Sequence, residues 1–267
     1  MPVREAPEYA ELDRRFDRAM QTSVEGADRL CVLFSGGVDS SLVALVASGL
    51  RPVVLETLAG PGARDAAAAR TAAQLLGLPL QVHSVSREEI LQWLAAAPPF
   101  LRSFAEPARS VQVALGLALA SASCTRVLVG QGADELFGGY AHFRGLAAEP
   151  FRNRRRVDWD RLTGVDWPAS RELASSVQKE LKSPFLDPEF ADLVLHLTLG
   201  PPDSEGLTKS FFRSWARHRG VPDEIALRPK LAFQYGSGVA KVTRDFERST
   251  TPRLRLPRTD DRAGPSG

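Results

Sequence analysis

The chain has 267 residues, 43% hydrophobic and 25% charged, which suffices for one large domain or two small ones with a sizeable core. Its 34 basic and 32 acidic side chains leave a net charge of +2 spread along the sequence, which excludes an argument for a nucleic-acid face or a membrane-surface patch. No apolar run approaches the roughly 18 residues of a membrane span, and Met1-Pro2-Val3-Arg4-Glu5 has no signal-peptide pattern, so a cytoplasmic protein is expected.

In chain order, residues 9–20 place Leu12, Phe16 and Met20 at four-residue spacing, one face of a helix that covers a sheet. Strands are expected at 30–34, 52–57, 80–85 and 126–129, each continuously apolar enough for a buried parallel strand. Between them lie an Ala-rich helix over 65–76, stopped at Gly77, and a helix running from Pro107 to Ser123. The alternation predicts an α/β fold, a doubly wound, mostly parallel sheet with ligands at the carboxyl ends of its strands. After Tyr140 an Arg-rich loop (152–156) is expected, then helices over 171–181, 188–199 and 208–218 that pack on the sheet. The domain reading is a helical leader over 1–29, one domain over 30–250, and a Pro-rich, disordered tail over 251–267. Cys31 and Cys124, one in an apolar strand and one at a helix end, are expected to form neither a disulfide framework nor a metal cluster.

Two glycine-rich blocks carry the chemistry. In Phe34-Ser35-Gly36-Gly37-Val38-Asp39-Ser40-Ser41 an apolar strand feeds a tight Ser-Gly-Gly turn and then a helix. Adjacent glycines let backbone approach an anion, and the helix start supplies unpaired N–H groups and positive dipole. The loop lacks the lysine of a Walker motif. Asp39 would repel bare phosphate, so its expected role is to hold magnesium on phosphate oxygens. Val129-Gly130-Gln131-Gly132-Ala133-Asp134-Glu135 repeats the pattern, and Asp134 could supply a second carboxylate to the same ion, or cap its own helix.

The Ser-Gly-Gly-Val-Asp-Ser-Ser string resembles the loop of ATP pyrophosphatases. With the Gly130 block, Lys182-Ser183-Pro184-Phe185-Leu186-Asp187 and Arg228-Pro229-Lys230-Leu231-Ala232-Phe233-Gln234-Tyr235-Gly236-Ser237-Gly238, the chain resembles the synthetase domain of asparagine synthetases over residues 30–239. It also resembles the β-lactam synthetases and lasso-peptide cyclases built on that domain. The resemblance implies an adenine nucleotide α-hydrolase-like fold and a ligase that uses ATP and Mg2+. A carboxylate attacks the α-phosphorus of ATP, pyrophosphate leaves, and ammonia or another amine displaces AMP. On this reading Ser35, Gly36, Gly37, Asp39 and Ser40 hold pyrophosphate, with Phe34 and Gly132 beside them. Leu33, Leu58 and Gly130 receive the adenosine, and Asp39 and Asp134 hold the metal. Lys230 aligns with the family's catalytic lysine, supported by Arg228, and a fixed ammonium there stabilises charge growing on phosphoryl and tetrahedral carbon. Asp187 and Glu180 are read as pinning helices.

The sequence departs from that family in three places. The glutaminase half, with its N-terminal cysteine nucleophile, is not read in this sequence, so glutamine hydrolysis is not expected and ammonia would come from solution or a separate glutaminase partner. Gln131 stands where asparagine synthetases carry Glu and β-lactam synthetases Tyr; it can hydrogen-bond an amine but cannot act as its base. Asp166, eighteen residues before Pro184, matches an acidic family position and takes that role. Lys182 replaces a usual Arg, and 167–175 lacks the family's polar signature, so an acid other than aspartate is an alternative substrate. A catalytically silent ATP-binding subunit is a further alternative.

Overall fold

The computed structural model describes residues 7–63, 65–202, 207–229 and 238–250. Strands β1 (Leu30–Leu33), β2 (Val53–Ala59), β3 (Leu80–Ser84), β4 (Arg126–Leu128) and β5 (Glu180–Lys182) form one parallel sheet in the order β3-β2-β1-β4-β5. The connections run outward from β1 in one direction, then return to build β4 and β5 on its other side. This reversal opens a crevice between the carboxyl ends of β1 and β4.

The helices, in chain order, are α1 (Pro7–Val24), α2 (Val38–Ser48), α3 (Asp65–Leu76), α4 (Arg87–Ala96), α5 (Ala108–Ser121), α6 (Ala133–Phe137), α7 (Ala148–Arg161), α8 (Trp167–Ser176), α9 (Pro188–His196), α10 (Ser210–His218), α11 (Asp223–Ala226) and α12 (Val239–Thr250). They cover both faces of the sheet, which explains why β1 reads as continuously apolar. Leu30, Val32 and Phe34 are buried with residues of α1, α2, α9 and α10. Cys31 and Leu33 are buried on the opposite face with residues of α5, α8 and α12. The α1 face forms as its spacing predicts: Leu12, Phe16 and Met20 are fully buried. The Phe16 ring lies 5.2 Å from each of the Phe185, Phe190 and Trp215 rings, so α1 is part of the core.

Three expectations are corrected. The stretch 152–156 is helical, inside α7, and its Arg155 is buried. Burial lowers the pKa of this guanidinium to about 10, and it donates to the carbonyls of Leu136 and Val194 while lying over the Phe151 ring. The helix expected over 171–181 ends at Ser176; β5 follows, with Glu180 on a strand and ion-paired to Arg126 instead of pinning a helix. Cys31 and Cys124 form a disulfide with Cα atoms 5.5 Å apart. They are 93 residues apart in sequence, but β1 and β4 are hydrogen-bonded neighbours, and only that pairing brings them together. Asp187 caps α9 as expected, accepting from the N–H groups of Glu189 and Phe190. The tail over 251–267 lies outside the described residues.

Phe16→Ala should leave a cavity among three aromatic rings and cost about 3–5 kcal/mol of unfolding free energy. Urea denaturation followed by tryptophan fluorescence checks this, with one shared transition for α1 and the sheet expected.

Candidate active site

The loop after β1 is braced by its own serines. Gly37 N–H donates to Ser35 Oγ at 3.3 Å, and Ser40 Oγ donates to the Gly37 carbonyl at 3.2 Å. Gly36 has φ +68°, and a Cβ there would meet the Ala68 carbonyl of α3 at 2.7 Å, so this turn requires glycine. Gly37 caps α2 with no side-chain cap bond, so the amides of the first turn remain directed out of the helix. Such a helix start suits an anion.

The loop after β4 closes onto the first one. At Gly130 a Cβ would lie 2.9 Å from the Asp39 Cβ and 3.1 Å from the Ser40 nitrogen. Gly132 takes φ +100° at the start of α6, against Phe185. Ser183 Oγ donates to the Gln131 carbonyl at 2.6 Å, which ties the Lys182-Ser183 block to this turn. Asp134 sits in the first turn of α6, whose cap is Gly132. A side chain at Gly139 would run into the Asp134 carboxylate.

The group that joins the two loops was invisible in the sequence. Lys209, 2% exposed, donates from Nζ to Asp39 Oδ1 and lies 2.8 Å from Asp134 Oδ1, with its ammonium 5.2 Å from the Phe212 ring centre. Burial pushes the Lys209 pKa down, but the Asp134 and Asp39 carboxylates outweigh it and the net shift is upward. Lys209 caps α10 in the left-handed region (φ 59°), a cation at the positive end of a helix. Both features are locally unfavourable for lysine, and the carboxylates offset them.

Arg213, one turn further along α10, is also buried, and burial lowers its pKa against the opposing pull of Asp39 and Asp134. Its guanidinium donates to the carbonyls of Thr208 (2.8 Å), Ala226 and Arg228 (3.0 Å), which fixes the approach to Arg228. Arg228 Nη2 then donates to the Ser35 carbonyl at 3.4 Å. Arg228 therefore reaches the Ser35 loop. Lys230 lies outside the described residues. On the far side of that segment, Gly238 (φ +78°) approaches the turn after β2 so closely that a Cβ would be 2.5 Å from the Pro61 carbonyl.

The remaining candidates divide. Leu33 and Leu58, buried near the carboxyl ends of β1 and β2, belong to one apolar cluster and can form the floor of a base pocket. Phe34 points its side chain into the opposite core, its N–H bonds the Glu56 carbonyl, and its carbonyl accepts from Thr57 Oγ1, so it is a structural residue. Asp166 ends a π-helical turn (Leu162–Asp166) and bonds to none of the groups above. Its Oδ1 is buried without a hydrogen-bond partner among the described residues, and its Oδ2 is 3.6 Å from Arg161 Nε. Burial raises the Asp166 pKa, partly opposed by Arg161. π-turns recur at functional sites, and a carboxyl with an unpaired buried oxygen is a candidate proton acceptor.

A nucleotide-bound magnesium fits this constellation. Two carboxylates converge beside a helix start, a hard-oxygen donor set of the kind that holds a divalent ion on phosphate.

The asparagine synthase family model matches residues 11–178 and 167–262. The chain belongs to the asparagine synthase family. Within the family it is 29% identical over 281 residues to a putative glutamine-hydrolyzing asparagine synthetase of Methanocaldococcus jannaschii, covering 89% of this chain and 51% of that protein. It is 29% identical over 260 residues to the glutamine-hydrolyzing asparagine synthetase of Rattus norvegicus, covering 86% and 45%. The chain thus spans about half the length of the curated relatives it matches. The NMN synthetase of Francisella tularensis aligns with 93% of this chain and 98% of its own at 12% identity and TM-score 0.37. No helix among the described residues is long and apolar enough to cross a membrane.

Lys209→Ala should leave Asp39 and Asp134 facing each other and cost about 2–4 kcal/mol, less than a fully buried pair because both carboxylates retain some solvent contact. Millimolar magnesium should recover part of the loss in thermal melts, and should stabilise the parent chain less. Since the Lys209 pKa is raised on folding, its contribution is complete below the ordinary lysine value of about 10.4 and disappears only as pH rises through the higher folded value.

Proposed function

We propose that this chain is an ATP-dependent amide-forming ligase that releases AMP and pyrophosphate, joining ammonia or another amine to a small-molecule carboxylate. One observation carries the reading: the β1 and β4 loops bring Asp39 and Asp134 to one buried ammonium, beside an uncapped helix start and Arg228. That arrangement suits a polyphosphate that carries a divalent ion.

In the proposed reaction a substrate carboxylate oxygen bonds to the α-phosphorus of ATP as the bond to the bridging oxygen breaks. The amides of the Ser35 loop and α2, with Ser40 and Arg228, take the charge of the departing pyrophosphate. Magnesium held by Asp39 and Asp134 would neutralise phosphate oxygens. The adenosine lies over Leu33 and Leu58, along Gly130. The amine then attacks the acyl carbon of the adenylate, its proton passes to Asp166, and AMP leaves. Gln131 orients the amine without taking its proton. Lys230 stabilises the oxyanion and phosphoryl charge of both steps. The family match supports this order of events, and aspartate is its first candidate acid.

The test is pyrophosphate and AMP release from magnesium-ATP with ammonium chloride and a panel of acids headed by aspartate, with mass detection of the amide. Equimolar AMP and pyrophosphate that depend on one acid are expected. Nucleotide binding with no pyrophosphate from any acid would establish a silent subunit instead.

Asp166→Asn should retain acid-dependent exchange of pyrophosphate into ATP while amide formation falls by roughly 10²-fold or more. Arg161→Ala removes the charge that lowers the Asp166 pKa, so the acid limb of the kcat/KM profile for the amine should move to higher pH.

A further inference from the structure

The disulfide lies at the amino ends of the central strands β1 and β4, the end of the sheet opposite the phosphate loops. Cys31 lies near the start of β1 and is fully buried. Cys124 lies two residues before β4 and lines a cavity of about 330 Å³ together with Gly26, Asp28, Arg29, Ser123 and Arg126. The two cysteines are therefore inequivalent: Cys124 lines the cavity and Cys31 does not.

A polar group that nothing in the ligase chemistry uses is built against the inner sulfur. Glu56, on β2 and 2% exposed, places Oε1 3.0 Å from Cys31 Sγ. The same oxygen accepts from the Ser123 N–H at 2.9 Å and from Ser123 Oγ at 2.5 Å, and Oε2 lies 2.6 Å from His83 Nε2. The His83 side chain is 17% exposed, so the chain Cys31, Glu56, His83 leads from a buried sulfur toward solvent. A buried carboxylate is costly unless bonded, and beside a disulfide sulfur, which has no proton to give, one flank of Glu56 faces an atom it cannot bond. Reduction supplies the missing donor, the Cys31 S–H.

We propose that Cys31 and Cys124 are a reversible thiol–disulfide site that exchanges with a small thiol through the cavity, with Cys124 the attacked sulfur and Glu56–His83 the proton path of Cys31. A thiolate RS⁻ bonds to Cys124 Sγ, the Cys31–Cys124 bond breaks, and Cys31 leaves with the electron pair and takes a proton relayed from His83 through Glu56. A second RS⁻ bonds to the R sulfur and releases Cys124, which takes up a proton. Two thiols are oxidised to RSSR and one protein disulfide is reduced to two thiols. In the reverse direction Glu56 takes the Cys31 proton, and the resulting thiolate attacks the mixed disulfide on Cys124.

The test uses the full chain in glutathione buffers of graded redox poise, with acid quench, alkylation and peptide mass mapping. Both thiols should appear together, in folded protein, faster than global unfolding measured in parallel. Thiols that appear only at the unfolding rate would overturn the proposal. Oxidised glutathione should be captured by Cys124 in the Cys31→Ser chain at least tenfold faster than by Cys31 in the Cys124→Ser chain; equal or reversed capture would refute the assigned order of attack. Glu56→Gln should slow exchange at least tenfold. Because Glu56 is buried, His83→Gln, at the exposed end of the path, serves as the second variant, and a folded His83→Gln chain with unchanged exchange rate would remove the proton path.

Discussion

Two carboxylates that must share a position are the constraint on which the rest of the site depends. Unit charges of one sign about 4 Å apart repel by about 4 kcal/mol at an effective dielectric constant of 20, so Asp39 and Asp134 cannot be brought to one place by packing alone. Lys209 converts the repulsion into two attractions. Its own local cost is visible in its left-handed backbone and its place at the positive end of α10. The glycines follow from the same constraint. Gly130 lets one loop rest on Asp39, and Gly139 leaves the Asp134 carboxylate its volume.

The sheet makes this convergence possible without flexible parts. β1 and β4 are adjacent parallel strands, so their carboxyl ends are fixed side by side by ladder hydrogen bonds and by apolar packing on both faces. The loops add only a few residues to strands that cannot move independently. Arg213 extends that order to the C-terminal part of the chain, because one buried guanidinium holds Thr208, Ala226 and Arg228 by their carbonyls. Arg228 thereby meets the Ser35 loop although it lies 193 residues away in sequence.

Features whose cause is local were legible in the sequence. Strand, glycine turn and helix follow one another within a dozen residues around Ser35 and again around Gly130, and four of the five strands stand out along the chain, although β3, expected to be buried, has no buried residue. β5 did not stand out because it has three residues and only Leu181 is buried. Arg155 was hidden in a basic run because nothing local separates a guanidinium that bonds two carbonyls in the core from its solvated neighbours. Lys209 and the cysteine pair depend on contacts between segments 75 to 170 residues apart, which no pattern along the chain encodes.

The charges around the crevice also bear on what can enter it. Asp39 and Asp134 against Lys209, Arg213 and Arg228 leave one positive charge, far less than the negative charge of a nucleoside triphosphate. A free triphosphate would meet two carboxylates close to the helix amides that attract it, and part of the attraction would be cancelled. In the proposed function, a triphosphate carrying a divalent ion would present positive charge to Asp39 and Asp134 and phosphate oxygens to the amides and to Arg228. Under the proposed function, this charge arrangement would favour the metal-bound form of the nucleotide over the free form.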